Sequence, residues 1–170
     1  DISGREVIIP SQTFIATGMA VHLSGGTPVF AEISSETMCL DIDDVKSKIT
    51  PNTAGIVIVH MAGMVTPNIC KFKKLCDENN LFLIEDAAHS PGAILNGQYA
   101  GTIGTAGCFS FFPTKNITTT EGGMLTTNNK EHYHKIKKII AHGIDHQKKP
   151  VFWHREAVLA GHNYRLPNHL

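Results

Sequence analysis

Short, almost continuously apolar segments recur along the 170-residue chain, with more polar stretches between them. The apolar runs predict strands over residues 6–9, 28–33, 55–60, 81–85, 107–112 and 123–127. Several of these runs lack the polar alternation of a half-exposed strand. That pattern is typical of strands that are covered on both faces of a sheet.

The stretches between the predicted strands carry the apolar spacing of amphipathic helices. This spacing predicts helices over 42–49, 69–76 and 133–140, and residues 12–24 are expected to form a further helix. Thr66 and Pro67 precede the second of these patterns and predict a helix cap and a first-turn residue.

Alternation of strands and helices at this spacing indicates an α/β fold, with helices packed on both faces of a mainly parallel sheet. The apolar period disappears over residues 142–168, where His, Lys, Pro, Trp and Arg are frequent. We therefore expect one domain over residues 1–145 and a crossing segment over 146–170 that leaves it. The chain begins without methionine and ends in a polar stretch, so it is expected to be an internal piece of a longer protein.

Composition excludes several classes of partner. Lys and Arg together number 15, as do Asp and Glu, so no net charge favours nucleic acid or an anionic membrane. No apolar run approaches the roughly 20 residues that span a bilayer.

The ten histidines are scattered and predict no metal site. Four cysteines without CxxC spacing predict buried free thiols and a reducing, cytoplasmic location: Cys39, Cys70, Cys76 and Cys108.

Ionisable groups follow two of the predicted strands. Asp86 comes where the run 81–85 ends, and ligands in open α/β sheets bind at the carboxyl ends of the strands. The alternative for Asp86 is a helix cap for the following segment. Lys115 follows Phe-Phe-Pro after the strand that carries Ser110, and the alternative there is a merely solvated lysine.

A strand-end aspartate, a desolvated lysine and a nearby serine are groups that pyridoxal phosphate requires. The lysine can form a Schiff base with the aldehyde, the aspartate can keep the pyridine nitrogen protonated, and the hydroxyl can bind phosphate. Glycines at 101, 104 and 107 do not have GxGxxG spacing and precede a strand, so we reject a nucleotide-binding loop there.

At these residues the sequence resembles the DegT/StrS-type sugar aminotransferases, pyridoxal-phosphate enzymes of the aspartate aminotransferase fold. The resemblance runs from Glu6 to about Asn168. Its blocks are EVIIPSQTFIATGMAV, TPVFAEI, ITPNTAGIVIVHMAG, LIEDAAHSPGA, GTAGCFSFFPTKNITTTEGGMLTTN, HG and GHNYRLPN. The resemblance implies that residues 1–145 form part of a three-layer α/β/α large domain of fold type I.

Carried over by position, the resemblance implies that Lys115 is the Schiff-base and proton-transfer lysine. Asp86 matches the partner of the pyridine nitrogen, and Ser110 matches a phosphate-binding serine. Phe14 matches a ring stacked on the cofactor, with a core phenylalanine as its alternative. His89 stands where many members have glutamine near the phenolic oxygen of the cofactor. Four further positions match residues near the site, the last three reaching a neighbouring subunit: Glu121, Asn163, Tyr164 and Arg165.

The implied activity is transfer of an amino group, expected from glutamate, to a keto-sugar nucleotide in amino-sugar biosynthesis. A homodimer is implied, because two subunits complete each site in the family. Relatives with histidine in place of the lysine are sugar dehydratases, so Lys115 argues against that branch. Two alternatives stay open: a sugar dehydratase or another cofactor-bound lyase of the same fold, and a non-catalytic cofactor- or sugar-nucleotide-binding regulator. The family's phosphate loop would lie upstream of this chain and its small domain downstream, so little turnover is expected from the chain alone.

Overall fold

The computed structural model describes residues 2–145, 153 and 155–166. Eight strands lie within them: β1 Glu6–Pro10, β2 Thr27–Ala31, β3 Thr53–Val59, β4 Phe82–Asp86, β5 Ile94–Leu95, β6 Gln98–Tyr99, β7 Ala106–Ser110 and β8 Gly123–Thr126. The helices are α1 Ile15–Leu23, α2 Ile42–Lys48, α3 Ile69–Asn79 and α4 Lys130–Ile139, with a short 3-10 helix at Met61–Gly63.

Six strands form one sheet in the order β2-β1-β3-β4-β7-β8. The first five are parallel, and β8 pairs antiparallel with β7. The predicted α/β class and mainly parallel sheet are therefore confirmed. All six predicted strands of this sheet are present, with boundaries shifted by one or two residues.

Helices cover both faces of the sheet because alternate strand residues point to opposite sides. On one face, Ile8 and Ile56 pack with Val45 of α2 and Phe72 of α3. On the other face, a second buried cluster joins strand residues to Val21 of α1: Val7, Ile9, Ala54 and Val57. The change of face between α1 and the next two helices follows from the strand order, since the chain passes from β1 to β2 and then back across β1 to β3. The predicted helix–sheet–helix layering is thus confirmed.

The chain divides into two compact units, Asp1–Thr126 and Thr127–Leu170. The sheet lies in the first unit. The second contains α4 and the described residues 155–166. The predicted crossing segment over 146–170 is described at residue 153 and over 155–166, and its boundary stays a prediction.

The predicted cap of the 69–76 helix was wrong. The residue before α3 is Asn68, which makes no side-chain capping bond, and the helix begins at Ile69. The hydroxyl of Thr66 instead donates to the Val59 carbonyl at 3.3 Å, because Thr66 is buried at the end of β3.

Two further corrections concern α3 and the small hairpin. Cys70 is exposed, contrary to the prediction of buried thiols, because the sheet-facing stripe of α3 is formed by Ile69, Phe72 and Cys76. The strands β5 and β6 were missed. Their two-residue turn is Asn96-Gly97, both at positive φ, and Asn-Gly is a strong hairpin sequence that could have identified it.

Candidate active site

The carboxyl ends of β4 and β7 place two predicted site residues at one edge of the sheet. Asp86 is the last residue of β4 and pairs in register with Cys108 of the parallel strand β7. Ser110, the last residue of β7, lies two positions further, roughly 7 Å along the strand direction. Parallel strands therefore bring a carboxylate and a hydroxyl to the same edge, as the sequence predicted.

Both carboxylate oxygens of Asp86 are held within the chain. Oδ2 accepts a hydrogen bond from the hydroxyl of Thr17 at 2.9 Å, and Oδ1 accepts one from the Ala88 N–H at 3.2 Å. No helix follows Asp86 before α4, so the helix-cap alternative was wrong. A carboxylate has about four acceptor positions, so these two bonds leave it able to accept a further donor.

Lys115 lies in a turn that directly follows the predicted Phe-Phe-Pro sequence. Its backbone N–H donates to the Phe112 carbonyl at 2.9 Å, and its side chain is half-buried. Its Nζ lies 2.9 Å from Nε2 of His89, so a hydrogen bond joins the two nitrogens. The structure thus brings together the amine and the imidazole that the sequence separated by 26 positions.

Both ends of the segment that carries Lys115 are fixed by backbone bonds. The Phe111 N–H donates to the Gly122 carbonyl at 2.8 Å, and the Thr119 N–H donates to the Phe111 carbonyl at 3.0 Å. Ser110 Oγ accepts from the Phe112 N–H at 3.3 Å, which ties the serine to the same turn. The lysine is therefore presented by a closed connection between two paired strands.

Phe14 lies immediately before α1, with 74% of its surface exposed. The core alternative for this residue was therefore wrong. Since β1 ends at Pro10, the start of α1 and the Phe14 ring lie near the carboxyl edge of the sheet. An exposed ring at that edge is available for stacking on a planar ligand.

The remaining predicted residues are more dispersed. Glu121 is exposed within the same connection as Lys115. The other three belong to the second unit, where the Arg165 Nε donates to Asn163 Oδ1 at 2.9 Å and the Tyr164 ring stacks on His162 at 4.9 Å. Their roles at the site stay predictions.

Sequence reasoning missed a fully buried carboxylate next to Asp86. Glu85 accepts hydrogen bonds from His60 Nε2 at 2.9 Å and from the backbone N–H groups of Gly101, Ile103 and Gly104 at 2.7, 2.7 and 2.6 Å. Burial opposes its ionisation, but the bonds from His60 and the three N–H groups outweigh burial and lower the pKa of the carboxyl. The one sequence signal for this buried, hydrogen-bonded carboxylate was the Glu85-Asp86 pair at the end of an apolar run.

The neighbours of His60 define its tautomer. The Thr66 N–H donates to His60 Nδ1 at 3.2 Å, so Nδ1 must be an acceptor and the ring proton is on Nε2, which donates to Glu85. The pair is thus a neutral imidazole bound to a carboxylate. It fastens the end of β3 and the 101–104 loop to β4, on the sheet face opposite Asp86.

The groups at the carboxyl edge fit pyridoxal phosphate. A carboxylate with free acceptor capacity suits a protonated ring nitrogen, an amine suits an aldehyde, and an exposed aromatic ring suits a planar heterocycle. Among the described residues no cluster of His, Cys, Asp or Glu could hold a metal ion. No helix in the described ranges has the length and hydropathy to span a membrane.

Solved structures define the class to which this fold and site belong. An aminotransferase from Helicobacter pylori involved in the biosynthesis of pseudoaminic acid superposes with a TM-score of 0.90 at 32% identity, over 98% of this chain and 43% of that one. The fold is that of the large domain of pyridoxal-phosphate-dependent aminotransferases of fold type I.

Within that class, the chain belongs to the DegT/DnrJ/EryC1/StrS aminotransferase family, whose model matches residues 1–170. It is 38% identical over 165 residues to GDP-perosamine synthase of Vibrio cholerae, covering 97% of this chain and 43% of the relative. It is 40% identical over 141 residues to the UDP-N-acetyl-3-dehydro-alpha-D-glucosamine 3-aminotransferase of Acidithiobacillus ferrooxidans, covering 82% and 38%. The chain thus spans about two-fifths of the length of the curated relatives it matches.

Proposed function

We propose that the protein containing this chain is an aminotransferase that moves an amino group, with glutamate as donor, onto a keto-sugar nucleotide. Family membership and the two sugar-nucleotide enzymes among its relatives support this proposal. The observation that carries it is the Lys115 amine, held 2.9 Å from His89 beside the strand that ends at Asp86. Pyridoxal phosphate supplies the electron sink for this chemistry when bound.

The chemistry of each described residue suggests its role in cofactor binding or proton transfer. The Nζ of Lys115 would hold the cofactor aldehyde and, as a free amine, would carry the proton between the substrate carbon and the cofactor carbon. Asp86 would accept a hydrogen bond from the ring nitrogen, and Phe14 would cover one face of the ring. Ser110 would donate a hydrogen bond to the phosphate. His89, whose Nε2 lies 2.9 Å from Lys115 Nζ, would lie near the phenolic oxygen of the cofactor.

Other parts of the proposal concern the whole protein. Because the matched relatives are more than twice as long, we place a phosphate-binding loop upstream of this chain and a smaller domain downstream. We also propose a cytoplasmic homodimer in which Glu121 lies near the substrate, and in which three residues reach the site of the neighbouring subunit: Asn163, Tyr164 and Arg165.

The test uses the full-length protein loaded with pyridoxal phosphate and mixed with glutamate, without a keto acceptor. We expect the absorbance of the cofactor bound to lysine to be replaced, one equivalent per site, by that of the amine form. Lys115→Ala should abolish this change. Lys46→Ala removes a surface lysine that pairs with Asp43 at 2.8 Å, and it should leave the change intact.

Three results would contradict the proposal. The first is an absorbance change that persists in Lys115→Ala. The second is a loaded wild-type protein that does not react with glutamate but eliminates water from a sugar nucleotide, which would favour a dehydratase. The third is cofactor binding without turnover of any keto-sugar nucleotide, which would favour a regulator.

A further inference from the structure

Two threonine hydroxyls connect the start of α1 to Asp86. Thr13 Oγ1 lies 2.7 Å from Thr17 Oγ1, and Thr17 Oγ1 lies 2.9 Å from Asp86 Oδ2. A hydroxyl has one proton, and an ionised carboxylate only accepts. Thr17 therefore donates to Asp86, and Thr13 must donate to Thr17. The direction of both hydrogen bonds is fixed by chemistry: Thr13 to Thr17 to Asp86.

Thr17 is well placed to hold this carboxylate. Only 6% of its surface is exposed, and it lies in the first turn of α1, where its N–H donates to the Phe14 carbonyl at 3.1 Å. Asp86 lies on β4, 69 positions away in the sequence. The contact therefore links two elements that the fold brings together, and it is not a local helix or turn bond.

The two oxygens of Asp86 are held from different directions. The Ala88 N–H restrains Oδ1 from the strand's own continuation, and Thr17 restrains Oδ2 from the helix. Together these bonds fix the rotation of the carboxylate plane. Each oxygen then has one acceptor position left for a ligand. Without the Thr17 hydroxyl, the bond from the Ala88 N–H would be the one hydrogen bond from the described part of the chain that restrains this rotation.

We propose that Thr17 is a positioning residue for Asp86, and that Thr13 supports it by donating to its hydroxyl. This inference rests on the proposed function, in which Asp86 binds the pyridine nitrogen of the cofactor. The hydroxyl pair orients the carboxylate before the cofactor arrives and keeps it oriented during turnover. Thr17 itself touches neither cofactor nor substrate.

The test compares variants of the full-length protein in the affinity of the apoprotein for pyridoxal phosphate, titrated by fluorescence. Thr17→Val keeps the shape and removes the donor, so we expect the Kd to rise about tenfold, at the lower limit for a lost bond to a charged acceptor. Thr17→Ser keeps the donor and should stay within about twofold of wild type. Thr13→Val removes only the supporting bond, and about threefold is expected.

A second readout separates positioning from a structural role. In the reaction with glutamate, Thr17→Val should lower kcat about tenfold and leave the KM for glutamate unchanged, because Thr17 does not contact the donor. The control is Thr53→Val. Thr53 is also buried, at the first residue of β3 on the opposite edge of the sheet, and its Oγ1 accepts from the Thr50 N–H at 2.9 Å. This variant should lower the melting temperature without changing the Kd for pyridoxal phosphate.

The inference is overturned if folded Thr17→Val keeps the wild-type Kd and kcat, or if Thr17→Ser is as impaired as Thr17→Val. If Thr17→Val does not fold, Thr17→Cys, a weaker donor of similar size, takes its place with the same expectation. Asp86→Asn separates a failure of the Thr17 inference from a failure of the proposed function. If it loses affinity while Thr17→Val does not, the inference fails and the proposed function stands. If Asp86→Asn and Lys115→Ala both keep cofactor binding and turnover, the proposed function itself fails.

Discussion

Replacing Glu85 by Gln tests the buried carboxylate next to the site. Among the described residues, the four groups that bond to Glu85 are all donors: His60 Nε2–H and the N–H groups of Gly101, Ile103 and Gly104. The glutamine oxygen can keep the two bonds that one carboxylate oxygen now accepts. Its NH2 group must then face the two donors of the other oxygen. The substitution is nearly isosteric but reverses the hydrogen-bonding character of one terminal atom.

The expected loss follows from those two donors. Each buried donor left without an acceptor costs about 1–3 kcal/mol, so the free energy of unfolding should fall by about 2–6 kcal/mol. A change of His60 tautomer does not relieve the conflict. It would place the ring proton on Nδ1, which faces the Thr66 N–H. The matched control is Glu78→Gln, because Glu78 pairs with Lys74 at 3.7 Å on the surface and such a pair contributes about 0–1 kcal/mol.

Two measurements on the full-length protein check this prediction. Urea unfolding followed by circular dichroism gives the difference in unfolding free energy between wild type and each variant. Hydrogen exchange read by mass spectrometry should show faster exchange in peptides that cover Gly101, Ile103 and Gly104, and no change there in the Glu78→Gln control. An equally stable Glu85→Gln variant with unchanged exchange in this loop would refute the assignment of the network.

The same network predicts a pH dependence with a definite sign. The folded pKa of Glu85 is lowered from its usual 4.5, so its stabilising contribution is fully present above that pH and is lost as the pH falls through the folded pKa. The stability difference between wild type and Glu85→Gln should therefore be constant from pH 7 to 5 and shrink at lower pH. A difference that grew on acidification would contradict the ionised state of Glu85.

Two further predictions concern glycine and cysteine positions. Gly18→Ala should raise the unfolding free energy by about 0.5–1 kcal/mol, because Gly18 lies inside α1 and the added methyl would contact Ile9 at an ordinary 3.5 Å. Gly107→Ala should instead destabilise the protein, because its methyl would collide with the Gly101 backbone. Equal effects of the two variants in urea unfolding would contradict this prediction. Thiol labelling at pH 8, mapped by mass spectrometry, should modify exposed Cys70 long before Cys76, whose pKa burial raises to about 12. Faster labelling of Cys76 would show that α3 is oriented differently.

The apolar periods were sufficient to predict the sheet and its helices, because buried strands and amphipathic helices have different spacings. Boundaries were less certain where capping decides them. The 12–24 pattern predicted an early start for α1, but Phe14 is extended at φ −70 and ψ 145, and the helix begins at Ile15. Thr66 had the composition of a cap, and its burial beside His60 gave it a different role.

For the site, the sequence placed Asp86 at the end of one strand and Ser110 near the end of another, and the parallel direction of these strands brings both residues to one edge. The contacts of these residues could not be predicted in the same way. The bond from Thr17 to Asp86 and the one between Lys115 and His89 depend on how a helix and a turn pack against the sheet. Single-residue patterns carry no information about such packing. Because charged residues are expected outside the core, the sequence did not predict that the Glu85 carboxylate is buried.

Glu85 and Asp86 show how tightly the register of β4 is determined. Neighbouring residues of a strand point to opposite faces, so one carboxylate enters the His60 network while the next meets Thr17. A slip by one residue would turn each side chain of β4 to the opposite face of the sheet. Glu85 would then leave its donors, and Asp86 would be buried on the face away from the ligand. Insertions and deletions between Asn80 and Asp86 should therefore be selected against far more strongly than in the β5–β6 hairpin, which can change length without moving either charge.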